Sequence, residues 1–583
     1  MIPLHLLKQY FKDNRFILIT GLLCLIMVDV LQLVVPCIIK WAVNDITASN
    51  IDATKLMFYA LSIIAIASLI MVLRYTWRRF LIGTSRKIEE GLRNTLFYHI
   101  QTLSASYFDK TKTGDLMAHG TNDIQNIRMA IGMGIVAFTD ACVLGSCALG
   151  FMAYINIRLT LYVIIPTPMI IFGTRFFSKK MLNLYYEVQG NFANLTEAVR
   201  EQFAGIRTIK ADNLEKEKII QFEKYSKQYI NSNIKLARIV GAFYPMMLFF
   251  SNLSLAIILL FGGQDTILAT ITPGDFVAFI SYIGLLTWPM MAIGWLTNLI
   301  QRGKASLIRI DNILQTSPQI YDLKNSVNLK TIENGIGFDN VSFSYSSKKN
   351  ALQVLSNINL QLKKGHILGI TGHSGSGKTT LIKLVPRLYN VTNGKILLDG
   401  ENINNIKTND LRSHISFVPQ EAFLFADTIK KNITFGNDRF TEKELEKAVK
   451  AAFVYDTIKS FKNGFETVVG ENGIILSGGQ KQRITLARAL LQDRPFLILD
   501  DPVSQVDMET GNNIINTIRS MASYKTIIIV SHRLCALSFA DHIIVLDEGK
   551  ITEQGTHAQL MNNNKYYSNM FLRQKMEEEF HGS

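Results

Sequence analysis

Polar side chains are scarce in six stretches of this chain, at approximately residues 16–40, 55–77, 130–156, 159–178, 240–263 and 274–300. Each is long enough to cross a bilayer, which takes ~20 residues of helix. Runs such as "LMFYALSIIAIASLIMVL" and "FYPMMLFFSNLSLAIILLF" show no polar face of the kind a surface helix needs. The pattern then changes. From about residue 336, short apolar runs ("ILGITG", "ISFVPQ", "FLILDD", "TIIIVSH", "HIIVLDEG") alternate with helical stretches. That alternation predicts a largely parallel α/β sheet. The expected organisation is a helical membrane domain over 1–315, a polar linker over 316–335 and an α/β domain over 336–583.

Charge orients the spans. The connections "WAVNDITASNID" and "GGQDTILATITPGD" hold no Lys or Arg, and the third connection holds only Arg158. Residues 78–128 hold eight basic residues and residues 175–238 hold twelve. Basic loops stay on the cytoplasmic side, so both termini and these two long segments are expected there. Each segment reads as helix, turn, helix, with turns around Lys112–Gly114 and Gly205. At ~1.5 Å per residue such helices run well past the bilayer and end in two cytoplasmic knobs.

Bulk composition refines this picture only a little. A chain of 583 residues is too long for one core, and 48% hydrophobic with 19% charged residues fits one greasy and one ordinary region. The net charge of +14 would suit nucleic acid or anionic lipid. The basic residues of the long loops favour lipid, and no nucleic-acid partner is expected. Five scattered cysteines with no CxxC pair argue against a disulfide framework or zinc site. The start, "MIPLHLLKQYFKDNR", reads as an amphipathic lead-in rather than a cleaved signal.

The most specific chemistry lies at "GHSGSGKTT", Gly372 to Thr380, between the strand "ILGIT" and the helix "LIKLVPRLY". GxxxxGK[ST] in that setting is a phosphate-binding loop. Gly372, Ser374, Gly375, Ser376 and Gly377 let backbone N–H groups close around phosphate oxygens, and Thr380 follows in the helix. Lys378 is placed for the terminal phosphates and Thr379 for Mg²⁺, so ATP and Mg²⁺ are the expected ligands. A second strand should end in a metal-directed carboxylate, and "FLILD" supplies Asp500.

With these residues in view, the soluble half resembles the ATPase domain of an ABC transporter. "LSGGQ" matches that family's signature, which implies nucleotide contacts for Ser477, Gly478, Gly479 and Gln480. Tyr345 in "VSFSY" matches the aromatic that stacks on adenine. Gln420 in "FVPQ" matches the glutamine that reaches metal and attacking water, and His532 in "IVSHR" the histidine at the γ-phosphate. "SQVD" (Ser504 to Asp507) matches the dimer-contact loop and "TVVGENG" (Thr467 to Gly473) a loop that touches the membrane helices. The membrane half resembles a bacterial multidrug half-transporter in "YFDKTKTGDLMAHGTNDIQNIR" and "WPMMAIGWLTNLIQRGKASLIRI". The resemblance implies an ATP-driven exporter of the bacterial inner membrane. Its sites form between two ATPase domains, and its knobs seat in grooves beside Gln420.

One residue departs from the family pattern. The water-directed position after Asp500 is normally glutamate, and here it is Asp501, one methylene shorter. Misplacement on the ångström scale can cost ~10²-fold in rate. The reading favoured here is therefore a weakly hydrolysing site, in a subunit paired with a second, different half-transporter whose site this signature completes. The alternatives are a homodimeric exporter, a lipid flippase, and an ATP-gated channel or regulator. The expected cargo is a hydrophobic or amphipathic small molecule. Asp29 and Asp140 fall inside spans, where charge is expensive and often functional. Together with Met246, Met247, Phe249, Trp288 and Met290, and with Tyr244 and Met291, they are candidates for a cargo cavity.

Overall fold

The computed structural model describes residues 3–48, 52–329, 331–345, 352–437, 439–470, 473 and 475–581. Within the transmembrane helices, the side chains of Tyr244 and Met291 also lie outside the described set. Two compact units emerge, Met1–Gln101 with Thr113–Thr316, and Thr102–Lys112 with Ser317–Ser583.

Among the described residues of the first unit, six helices are long and apolar enough to cross a membrane: α1 (Arg15–Thr47), α2 (Ala53–Thr102), α3 (Thr113–Ile155), α4 (Ile157–Ala204), α5 (Glu215–Ile267) and α6 (Pro273–Leu314). All six contain the apolar stretches that predicted them. The break before α4 is set by Asn156, in extended conformation, whose side chain accepts from the Leu159 amide. Gly205 ends α4, and Ile206–Ala211 forms one short helix before α5. The first cytoplasmic turn differs from expectation. It lies earlier than Lys112–Gly114, because α2 ends at Thr102 and α3 already begins at Thr113. Between them Ser104 is extended and Ala105–Phe108 makes a single helical turn.

Apolar layers hold the helices together. Leu33, Leu144, Met152, Phe279 and Tyr282 are fully or almost fully buried in one cluster, and Ile88, Leu92, Ile124 and Ile310 in another. Polar anchors are few and well partnered, as an apolar surround demands. Asp123 accepts from Ser306 Oγ at 2.7 Å and from Arg309 Nε at 2.9 Å, tying α3 to α6. Lys40 at the end of α1 pairs with Asp275 at 2.6 Å, and Asn44 Oδ1 accepts from the Gly274 amide at 2.8 Å. Asp275 also closes a capping box with Thr272, so the ion pair fastens α1 to the first turn of α6. Trp288 Nε1 donates to Asp140 at 3.4 Å, while Asp29 is buried with one carboxylate oxygen lacking a partner.

The second unit has two sheets. One contains β1 (Gly335–Phe343), β2 (Leu355–Lys363), β4 (Asn393–Leu398) and β5 (Glu401–Asn402), all antiparallel, in the order β2-β1-β4-β5. The other contains β3 (Ile367–Gly372), β6 (Ile415–Val418), β7 (Phe496–Asp500), β8 (Thr526–Val530), β9 (His542–Asp547) and β10 (Lys550–Gly555). Its order is β10-β9-β3-β8-β7-β6, parallel except for the β9–β10 pair. Strands β3, β7 and β8 are buried along their whole length, which is why they read as unbroken apolar runs.

The segment Thr102–Lys112 packs within this second unit. Ser104 Oγ accepts from the Ile320 amide at 2.9 Å, Ser106 donates to Gln319 at 2.7 Å, and Tyr389 donates to Asp109 at 2.9 Å. The seat beside Gln420 expected for this knob is therefore not the one it takes. Tyr389 and the linker residues Gln319 and Ile320 receive it instead.

Candidate nucleotide site

The C-terminal ends of β3, β8 and β7 lie side by side, with Ile370 and Asp500 both in register with Val530. Sequence runs leaving these three strands therefore converge at one edge, where ligands bind in open parallel sheets. They are the phosphate loop, the segment carrying His532, and the Asp500–Asp501 pair.

The loop leaves β3 through Gly372, at φ +139°, where a Cβ would collide with the Leu546 carbonyl. Gly377, at φ +99°, opens helix α7 (Lys378–Leu384), and its position leaves no room for a side chain against Leu355. Lys378 is buried and curls back to donate to the carbonyls of Gly372 at 2.9 Å and His373 at 2.7 Å. Burial pushes its ammonium below the usual lysine range, and the charges of Asp500 and Asp501 partly counter that. The lysine thus sits inside the loop it would close over phosphate.

Thr379 Oγ1 donates to Asp500 Oδ1 at 3.3 Å, which brings two of the three predicted metal ligands together. The other Asp500 oxygen and the Ser376 hydroxyl are buried without any hydrogen-bond partner. Unsatisfied buried oxygens are rare and ask for an occupant. Two hard oxygen donors beside a loop of free amides are what Mg²⁺ on a polyphosphate requires. The residues fit the group.

Asp501 is 5% exposed and holds φ +52°, a left-handed conformation that aspartate tolerates better than longer side chains. Its amide donates to the Val530 carbonyl at 2.9 Å, and its own carbonyl accepts from Gln482 Nε2 at 2.7 Å. Its carboxylate receives the Ser531 hydroxyl at 3.5 Å. Burial raises the pKa of both aspartates above the usual carboxylate range. Asp501 adds to the rise at Asp500, while His532 and Arg533 restrain that of Asp501.

Tyr345 donates to or accepts from Thr380 Oγ1 at 3.0 Å and leaves 41% of its surface open, as a stacking platform requires. Gln420 and His532 are both exposed at this edge of the domain. Ser477 caps helix α8 (Gly478–Leu491) in a reciprocal box with Gln480. Gly478 and Gly479 press on Gln505 so closely that a Cβ at either would collide with it. Among the described residues, the side-chain hydrogen bonds of the signature stay at the start of α8, the Leu476 amide donates to the Gly473 carbonyl at 2.9 Å, and none reaches the phosphate loop. Most of "TVVGENG" is described, but Glu471 and Asn472 lie outside the described residues.

Two residues escaped the sequence reading. Gln482 is 1% exposed and links α8 to the Asp501 carbonyl and, at 3.2 Å, to Ser504 Oγ. Tyr389 meets Tyr345 edge-on, with centroids 5.3 Å apart, and carries the bond to Asp109. Tyr389 closes the run "LIKLVPRLY", expected to be helical, but the helix ends at Leu384 and leaves the ring beyond it.

Comparison with known proteins agrees with this geometry. Residues 18–290 match the family described as "ABC transporter transmembrane region" and residues 355–504 the family "ABC transporter". The chain is 35% identical over 573 residues to the probable multidrug resistance ABC transporter ATP-binding/permease protein YheI of Bacillus subtilis, covering 98% of this chain and 97% of that one. It is 32% identical to the multidrug resistance-like ATP-binding protein MdlA of Escherichia coli, with 98% and 96% covered. It is also 32% identical to an ATP-dependent lipid A-core flippase of Syntrophus aciditrophicus, with 93% and 89% covered. A solved structure of a bacterial Atm1-family ABC exporter with ATP bound superimposes with a TM-score of 0.77 at 25% identity, covering 96% and 98% of the two chains.

Proposed function

The chain belongs to the ABC transporter family, and we propose that it is one half of a two-chain exporter whose partner is a different half-transporter. As a member it is an ATP-hydrolysing translocase, a multi-pass protein of the bacterial inner membrane with its ATPase domain in the cytoplasm. The proposal concerns how its site is used. One observation carries it: an intact phosphate loop and a well-capped signature accompany a short, deeply set carboxylate at Asp501.

In this reading Lys378 and the amides of Gly375 to Thr379 hold and orient the terminal phosphates, and Tyr345 stacks on adenine. Thr379, Asp500 and Gln420 hold Mg²⁺, which when bound neutralises charge on the β- and γ-phosphates. Asp501 orients the attacking water and His532 meets the γ-phosphate. The signature of this chain, Ser477 to Gln480, completes the site on its partner. ATP that binds the closed pair better than the open one drives the membrane helices from inward to outward opening.

The relatives named for multidrug resistance and for lipid A-core flipping support a hydrophobic or amphipathic cargo. Asp140, within reach of Trp288, and Asp29 are the intramembrane groups proposed to meet a cationic cargo. Vanadate-sensitive ATPase of the purified chain alone tests the partner proposal, and robust turnover without a partner removes it. Asp501→Asn should leave most of the activity of the complete pair, whereas Ser477→Ala should damage it. Transport of cationic but not neutral dyes should fall in Asp140→Asn.

A further inference from the structure

The last helix, α9 (Tyr566–His581), reaches the catalytic edge from behind. Gln574 Nε2 donates to the His532 carbonyl at 2.8 Å, and Gln574 Oε1 accepts from the Leu534 amide, also at 2.8 Å. One side-chain amide thus takes up the two backbone groups that flank Arg533, one of them the carbonyl of the histidine itself. The other face of the same loop is held as well. The Arg533 amide donates to Ser531 Oγ at 3.0 Å, and that hydroxyl donates to Asp501 Oδ1 at 3.5 Å. The backbone on the far side of His532 is therefore tied to Asp501 through Ser531, and the carbonyl of His532 to Gln574, while the histidine side chain stays exposed.

The helix that presents Gln574 is itself anchored. Tyr567 is fully buried and bonds His557 Nδ1 at 2.8 Å, and its amide donates to Glu553 at 3.3 Å. Tyr566 packs against His373 of the phosphate loop with ring centroids 4.5 Å apart. An amide carried on a fixed helix, with both its donor and its acceptor used on one loop, sets where that loop can place its side chain.

We propose that Gln574 is a positioning residue for ATP hydrolysis: it sets the register of the loop that carries His532, and so the aim of the imidazole. This rests on the reading of His532 as the γ-phosphate contact. The effect belongs to the hydrolytic step, because Gln574 touches none of Gly372 to Thr380.

Single-turnover ATP hydrolysis at this chain's site, in the complete pair in nanodiscs with the partner's site blocked, tests it, alongside Mg·ATP affinity from a fluorescent nucleotide. Gln574→Leu, which loses both bonds, should slow hydrolysis about 10-fold or more, toward the rate of His532→Ala, with affinity held within about twofold. Gln574→Glu keeps the acceptor for Leu534 and loses the donor, and should fall between. In a His532→Ala background, Gln574→Leu should cost nothing further, because its effect passes through the histidine. Equal losses in both backgrounds, or a drop in affinity matching the drop in rate, would mean a structural role only and overturn the proposal. Normal hydrolysis in Gln574→Leu beside a crippled His532→Ala would overturn it too. Normal hydrolysis in His532→Ala would instead bring down the reading of the histidine and the proposal with it.

Discussion

Replacing Asp501 by glutamate restores the reach that the hydrolytic carboxylate lacks. The added methylene carries the carboxylate forward by about 1.3 Å at ordinary bond lengths and angles. A displacement of that order is worth ~10²-fold in rate, or ~2.7 kcal/mol of barrier. The gain comes with a local cost. Asp501 holds φ +52°, and its carboxylate takes the Ser531 hydroxyl. A longer side chain is less at ease in that conformation, by about 1 kcal/mol. It also draws its oxygens away from that donor. In a domain of this size ~1 kcal/mol lowers the melting temperature by roughly 2–4 °C. Asp501→Glu should therefore raise single-turnover hydrolysis at this chain's site in the complete pair, with the partner's site blocked, by about 10- to 100-fold and lower the Tm by a few degrees. Phosphate release and thermal unfolding in the same preparation read both. Turnover that stays level or falls, with the stability loss present, would show that aspartate already sits where the chemistry needs it and would refute the argument.

Asp500 and Asp501 both titrate above the usual aspartate range when folded, so the folded domain binds more protons than the unfolded chain once pH exceeds about 4. Stability without nucleotide should then fall as pH rises above about 4 through the raised values, and Asp501→Asn should melt higher than the parent by a margin that widens over that interval and then levels off. Lys378→Met removes the charge facing the terminal phosphates and should weaken Mg·ATP binding ~10²-fold, read by nucleotide titration. Arg488 donates to Asn432 O at 2.7 Å, to Phe423 O at 3.1 Å and to Asn432 Oδ1 at 3.2 Å, and lies over the Phe435 ring. Burial lowers its pKa to about 10, so it remains charged at neutral pH. Arg488→Leu strands those acceptors and should cost about 3–5 kcal/mol in urea unfolding of the ATPase domain.

Much of this was legible because the signals are local. Twenty apolar residues in a row announce a span whatever its neighbours do, and all six helices contain their predicted stretches. The loop "GHSGSGKTT" announces itself because only glycine suits φ values such as those of Gly372 and Gly377. Other features depend on tertiary placement. The first cytoplasmic turn slid from Lys112–Gly114 to the segment before Thr113, because Ser104, Ser106 and Asp109 are held by Ile320, Gln319 and Tyr389, more than 200 positions on. Gln482 and Gln574 are single amides on ordinary helices, and nothing in their neighbours reveals that each ends on the loops around Asp501 and His532. The side-chain bonds of the signature, for their part, stay within α8.

The clasp between Lys40 and Asp275, backed by Asn44 on the Gly274 amide, limits how the outer mouth can part. Pulling the first and sixth spans from each other there would strand an ammonium, a carboxylate and a helix-end amide at once, in surroundings that solvate none of them well. Seams without such a fastening yield first. Those two rods should swing outward as a single leaf, and any gap admitting cargo to the far side opens along a different edge.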